Sequence, residues 1–285
     1  MSSARTVLVV AGLTLREASR RRVLLALVAL TVALLGLSSW GFARLASETQ
    51  AGALTSGELR LAGSLVLNLV MFGFSLIAAL GTAFLAGPTL SGENESGIAL
   101  AVLARPVRRS AVLAGKWLGL AAFGSGFVVL AGLAQCAVVW VTVDYWPPQV
   151  ATALALLAAQ TVVLLTLAVL LSTAVSPMAS GVVAVGLFGA TWVAGVVGGV
   201  GSALGNDSVA RVGEVSRVLL PTDGLWRGAM HGFQDPGLLT QFAEAAEGQP
   251  FLAQGPLTPA YLLWAVAWVA MVGGLAALSF SRKDL

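Results

Sequence analysis

Residues Val150–Val175 read VATALALLAAQTVVLLTLAVLLSTAV, 26 positions without one charged side chain. At 1.5 Å per residue such a run crosses the ~30 Å hydrocarbon core of a bilayer as a helix. It is too long for a strand and too uniformly apolar for a half-exposed soluble helix. Five more runs share its character: Val23–Phe42, Ser64–Gly87, Trp117–Val143, Ala179–Leu204 and Tyr261–Phe280. The sequence therefore predicts an all-α integral membrane protein with six transmembrane helices.

The composition agrees. Of the 285 residues, 58% are hydrophobic and 10% charged, against roughly 25% charged in a soluble domain. The 33 glycines suit close helix contacts in lipid. Cys136 is the only cysteine, which excludes a disulfide framework or thiolate metal site within one chain. The net charge of +3 is no sign of nucleic acid, because the basic residues flank the apolar runs, where they set topology.

With the N-terminus inside, the inner segments carry Arg5, Arg16, Arg20, Arg21, Arg22, Arg105, Arg108, Arg109, Lys116, Arg282 and Lys283. The outer ones carry Arg44, Arg60, Arg211, Arg217 and Arg227. The positive-inside rule thus puts both termini in the cytoplasm, with the chain in the cell's inner (plasma) membrane. One domain, 1–285, is expected. Residues 3–22 form an interfacial helix on Val7, Val10, Leu13 and Ala18, with Arg16, Glu17 and Arg20 toward its end. Residues 205–259 form an extracytoplasmic segment of short interfacial helices. One is capped by Asp207 or Ser208 and stopped by Pro221, a second covers Asp223–His231, and a third covers Leu238–Glu247.

No Asp, Glu, Lys, Arg or His lies inside any of the six runs. Intramembrane ionisable groups mark proton and ion relays, so their absence argues against a proton-coupled carrier or an intramembrane enzyme. Gly115-Lys116 is no phosphate loop: Ser110 holds the earlier glycine position and no Ser or Thr follows the lysine. Lys116 reads instead as a snorkelling residue at the inner end of the third span. His231, the sole histidine, has no second ligand near it in sequence and reads as a surface residue. No catalytic residue, metal or cofactor is expected on this chain. Uphill movement would draw its energy from a partner.

The inner loop 91–116 reads SGENESGIALAVLARPVRRSAVLAGK. Glu93 and Glu95 lead an apolar stretch too short to span, which Arg105-Pro106 ends. Arg109 and Ser110 then begin a helix that continues into the third span. In the second span Ser64, Asn68, Ser75, Thr82 and Thr89 share one helical face. That face is either a pathway or dimer surface or glue within the subunit.

The order acid-x-acid-x-Gly, Leu-x-Arg-Pro-x-x-Arg and Gly-Lys resembles the type-2 ABC transporter permease family. Here it is carried by Glu93, Glu95, Gly97, Leu103, Arg105, Pro106, Arg109, Gly115 and Lys116. The basic N-terminal helix (Arg16, Glu17, Arg20) is similar to that family's. So is Leu220-Pro221-Thr222-Asp223-Gly224-Leu225-Trp226-Arg227, similar to its outer-leaflet motif before the last span. The nearest subgroup contains the nitrous-oxide-reductase maturation permease and sodium or antibiotic efflux permeases. The resemblance implies a homodimer, or a pair with a related permease, that binds two copies of a separate ABC ATPase. ATP and Mg would sit on that ATPase, and the inner loop would be the coupling helix docked in its cleft. The second and fifth spans of both copies would face one another around the route. The alternatives are a non-transporting membrane subunit passing ATPase work to an extracytoplasmic partner, and an ATP-independent channel or carrier.

The charge asymmetry generates a direct test of orientation. On a Cys136→Ala background, cysteines at Ser56 and Gln241 should react with a membrane-impermeant thiol reagent added to intact cells. Those at Ser96 and Ser281 should react only after the membrane is opened. Labelling of Ser96 in intact cells would refute the assignment.

Overall fold

The computed structural model describes residues 3–20, 22–50, 55–95, 109–235, 237, 250–253 and 255–282. Nine helices are traced among them: α1 Ser3–Ala18, α2 Arg22–Gln50, α3 Ser56–Glu95, α4 Arg109–Val143, α5 Val150–Ser172, α6 Pro177–Ala203, α7 Asp207–Leu219, α8 Thr222–Phe233 and α9 Pro259–Arg282. Six of these, α2 to α6 and α9, are long and apolar enough to cross a membrane. They correspond one for one to the six runs read from the sequence. The end of α1 and the end of α9 lie at one end of the bundle, where Ala18 and Phe280 share a cluster with Leu113; α7 and α8 lie toward the other, the far end.

Helix boundaries overrun the apolar runs wherever nothing stops the backbone ladder. The helix built on Val23–Phe42 continues to Gln50, and that on Ser64–Gly87 occupies Ser56–Glu95. Hydropathy marks what hydrocarbon requires, whereas helical hydrogen bonding continues into the polar zone. At roughly 60 Å for its 40 residues, α3 is twice the hydrocarbon thickness. Its start is a capping box: Glu58 accepts from the Thr55 N–H at 2.8 Å, and Thr55 Oγ1 from the Glu58 N–H at 3.3 Å. α5 stops earlier than its apolar run. Thr173 and Ala174 tighten into bonds three residues back, and Pro177 opens α6. α6 ends at Ala203, and Gly205 beyond it, with a φ of +66°, lets Asn206 N–H reach Gly201 O at 2.8 Å.

α3 and α5 form the middle of the bundle. α5 touches α3, α4, α6, α8 and α9, while α3 touches α2, α4, α5 and α6. Met71, Phe74, Leu157, Trp226 and Phe233 are buried in one apolar cluster, and Ala83, Leu120, Leu164, Leu165 and Phe188 in a second. Large apolar side chains such as Leu25, Leu130, Val141 and Leu263 point outward. In water that surface would be costly; against lipid tails it is the expected solvent-facing set.

α1 packs along the start of α4. A Cβ on Gly115 would lie 2.8 Å from Val7 O, and one on Gly119 2.6 Å from Ala11 O, so the two backbones nearly touch. Thr6, Thr14 and Ala18 are buried, with Val7 and Val10 half-buried beside them. Leu13, expected on that face, is instead 60% exposed and points away with Leu8 and Val9. The step from Val10 to Thr14 keeps the four-residue spacing on the contact face, while Leu13 falls about a quarter-turn off it. Lys116 is buried rather than snorkelling.

Gly119→Leu should therefore lower the unfolding midpoint in detergent, at ~1–3 kcal/mol for an overpacked contact, and make α1 more susceptible to protease. Gly126→Leu, in the same helix with open space around it, should leave both readouts near wild type.

Candidate functional site

Two ion pairs lie where α6, α7, α8 and α9 meet, within a dense set of polar bonds. α7 is capped by Asn206, whose Oδ1 accepts from Val209 N–H at 3.2 Å. The sequence pointed to Asp207 or Ser208 for that role; the extended backbone of Asn206 puts its amide oxygen over the first turn instead. α8 begins at Thr222 and runs to Phe233. The sequence reading laid it at the membrane surface, but it is inserted into the bundle. Thr222, Asp223, Leu225, Trp226, Met230 and Phe233 are all buried, and Gly228 and Gly232 pack closely against Leu156 and Ala153 of α5. A buried helix satisfies its own backbone, and this one is shielded from lipid by protein. The proposed third piece, Leu238–Glu247, lies outside the described residues.

Asp223 anchors the junction. Its side chain is 1% exposed, and Oδ2 accepts from Arg217 Nε at 2.9 Å and Arg227 Nε at 3.0 Å. Arg227 Nη2 also donates to Gly195 O on α6 at 2.6 Å. Three helices are thereby tied to one carboxylate. Gly195 has to be glycine here, because a Cβ would occupy the space of the carboxylate. Gly198 and Gly201 continue the same face of α6 three residues at a time, and a Cβ on Gly198 would lie 2.6 Å from Gly213 Cα of α7. The face in contact is Gly195, Gly198 and Gly201, whereas Gly199, four residues after Gly195, looks into a cavity.

The C-terminal carbonyls of α7 are each met by α9. Tyr261 Oη donates to Arg217 O at 3.0 Å, Trp264 Nε1 to Val218 O at 3.1 Å, and Trp268 Nε1 to Leu219 O at 2.8 Å. Their spacing of three and four puts all three donors on one side of α9. Thr191 and Thr222 join α6 to α8 at 3.0 Å. Trp226, the innermost residue of the motif, meets Phe72 edge to face at 5.5 Å. Pro221, Asp223, Trp226 and Arg227 are thus brought together as one structural unit. In the turn before α5, Tyr145 Oη donates to Phe233 O at 2.8 Å. Burial, the largest influence, pushes the phenol up to about 12, so it remains a neutral donor. His231 is half-buried on α8 with Nδ1 enclosed.

The polar face of α3 turns inward. Ser64, Asn68, Ser75 and Thr82 are all buried within the single chain. Ser75 Oγ donates to Gln160 Oε1 on α5 at 2.7 Å, Asn68 Nδ2 to Phe251 O at 2.8 Å, and Thr82 Oγ1 back to Ala78 O. In this conformation none of the four is available to a second copy; Leu69 and Leu76 are the exposed positions of α3 there. The side-chain positions of Thr89 lie outside the description. The sequence reading missed Gln135 and Gln160. Ser38 Oγ donates to Gln135 Oε1 at 2.8 Å, so each glutamine bridges two spans. With Asn68 they are the only side-chain amides in the apolar runs, which was the available signal.

At the other end Glu93 and Glu95 fall in the last turn of α3, and Arg109 opens α4. Gly97, Leu103, Arg105 and Pro106 lie outside the described residues. Arg16, Glu17 and Arg20 are exposed at and beyond the end of α1.

Asp223→Ala should cost ~2–4 kcal/mol, somewhat under the ~3–5 of a fully buried pair because both guanidiniums retain some hydration. A melt in detergent would show it as a lowered midpoint. Gly195→Ala, which pushes on the same carboxylate, should move the midpoint in the same direction; exposed Asp207→Ala should move it little.

No curated protein matches the chain. The domain of the ABC-2 family transporter proteins matches it over residues 8–285, covering all six spans and the Asp223 junction. The chain belongs to the ABC-2 transporter family and is a multi-pass membrane permease of that family.

Proposed function

We propose that this permease is the membrane half of an ATP-driven exporter, working with a separate ABC ATPase that binds at the end of the bundle carrying the termini. The supporting observation is the pair α3 and α4. Both are far longer than a bilayer requires, and α3 carries Glu93 and Glu95 beyond its apolar stretch while Arg109 starts α4. α1 is clamped to α4 through Gly115 and Gly119, so a force on the inner segment is passed to the third span and α1 together. The termini and segment 91–116 face the cytoplasm in this reading, as the distribution of Lys and Arg requires.

ATP and Mg belong to the partner, and this chain contributes no catalytic group. Two permease copies with two ATPases make the working unit. α3 and α6 pack side by side, and both expose apolar residues, Leu69 and Leu76 on one and Val193 and Val197 on the other, where a second copy can add its surface. Drawing the two inner segments together on ATP binding would tilt α3 and α4 of both copies and change the opening between them.

Reversal of a charge at a desolvated contact typically costs ~2–5 kcal/mol at an interface. Glu95→Arg or Arg105→Glu should therefore reduce co-purification of the ATPase, or uncouple its hydrolysis from transport, with membrane insertion intact. Arg44→Glu and Glu48→Arg, at the far end, should leave the association unchanged. Wild-type binding and coupling in both inner variants would refute the docking.

A further inference from the structure

The geometry points to an anion site at the far end of the bundle, in which Arg217 and Arg227 hold the acidic headgroup of an anionic lipid. The two guanidiniums border a cavity of ≈ 620 Å³ whose wall includes Val196, Gly199, Val200 and Tyr261. Among the described residues Asp223 is the single carboxylate bonded to them, so these three side chains together keep one excess positive charge. No acidic residue is among the described residues that line the cavity.

The donors are available. Arg217 uses only Nε on Asp223, and Arg227 uses Nε and Nη2, so both terminal amines of Arg217 and one of Arg227 have no partner among the described residues. Their side chains are 29% and 22% exposed, open to the cavity rather than sealed. Asp223 fixes both arginines through Nε, which orients their planar ends in advance; such forks match the oxygens of a phosphate.

The bilayer is the source because of what lies beside the site. α7 carries Arg217 and turns Val212, Val215, Val218 and Leu219 outward, each about half exposed or more. An apolar ridge at three- and four-residue spacing next to a cationic cavity fits the boundary of acyl chains and headgroups. Leu252 and Leu257 add apolar wall suited to the first carbons of an acyl chain. The assignment stands independently of the transport reading and needs no ATPase.

The test is thermal unfolding of the purified full chain in a neutral detergent at fixed ionic strength. Dioleoyl phosphatidylglycerol should raise the midpoint saturably, by ~3 °C or more, and the phosphatidylcholine with the same chains should not. Gly199 supplies a variant that spares the ion pairs. A Cβ there would sit 3.9 Å from Arg227 Nη2, with nothing nearer. Gly199→Asp should place a carboxylate against the guanidinium and abolish the phosphatidylglycerol shift, whereas Gly199→Asn, of equal size, should retain most of it. Equal shifts with the two lipids in the wild type would overturn the site, as would a full shift in Gly199→Asp. Inorganic phosphate reproducing the whole effect would overturn the lipid assignment in favour of a free anion. If neither variant folds, the wild-type comparison of the two lipids and phosphate still decides.

Discussion

The far half of this molecule depends on one buried carboxylate. Asp223 lies at the start of α8, a helix inserted among α5, α6 and α3, where no bulk water reaches it. An unpaired charge there would be prohibitive, so two arginines converge on it, one from α7 and one a turn further along α8. The second arginine reaches past the carboxylate to Gly195 O, which ties the junction into a transmembrane helix. The same demand for satisfied polar groups explains the row of Tyr261, Trp264 and Trp268. These close the last carbonyls of α7, which have no partner within their own helix. The amphipathic aromatic side chains suit that depth, where one end of each ring is apolar and the other meets a polar group.

Glycine supplies the second constraint, acting through absence of volume. Lipid tails are as apolar as leucine, so burial alone does not drive helices together in a membrane, and close packing has to. Gly115 and Gly119 bring α1 onto α4; Gly195, Gly198 and Gly201 bring α7 and Asp223 onto α6; Gly228 and Gly232 bring α8 onto α5. The first contact lies at the end of the bundle that carries α1, and the other two at the far end. Between them, the amide and hydroxyl pairs Ser38–Gln135 and Ser75–Gln160 fix the relative height of the spans. A register slip of either pair would leave an amide oxygen unpaired in an apolar interior.

These contacts divide the chain into a stiff far end and a long-armed end. α6 to α9 are cross-linked by charge, hydroxyl and indole bonds, whereas α3 and α4 extend beyond the bilayer thickness at the other end. In the coupling proposed above, the long arms would receive the force while the braced end keeps its geometry.

Much of this was readable before any fold was known. Six apolar runs fix six spans, because hydrocarbon tolerates no unpaired backbone and only a helix of that length satisfies itself. The Pro221 break, the Thr222 start and the motif ending in Arg227 are local signals, and they fell within a residue or two of the observed helices. The inward turn of α8, the pairing of Asp223 with Arg217 and Arg227, and the choice of Gly198 over Gly199 were not readable. The seven-residue polar stripe of α3 was equally silent about its own direction. A helical period states which residues share a face, but only the neighbouring helices decide whether that face meets lipid, a second chain or Gln160. The sequence by itself determined the number and order of the membrane helices, since those answer to solvent and backbone alone. The tertiary structure decided every pairing between them, since those bonds join residues as far apart as Ser38 and Gln135 or Val218 and Trp264, and no local pattern encodes a distant partner.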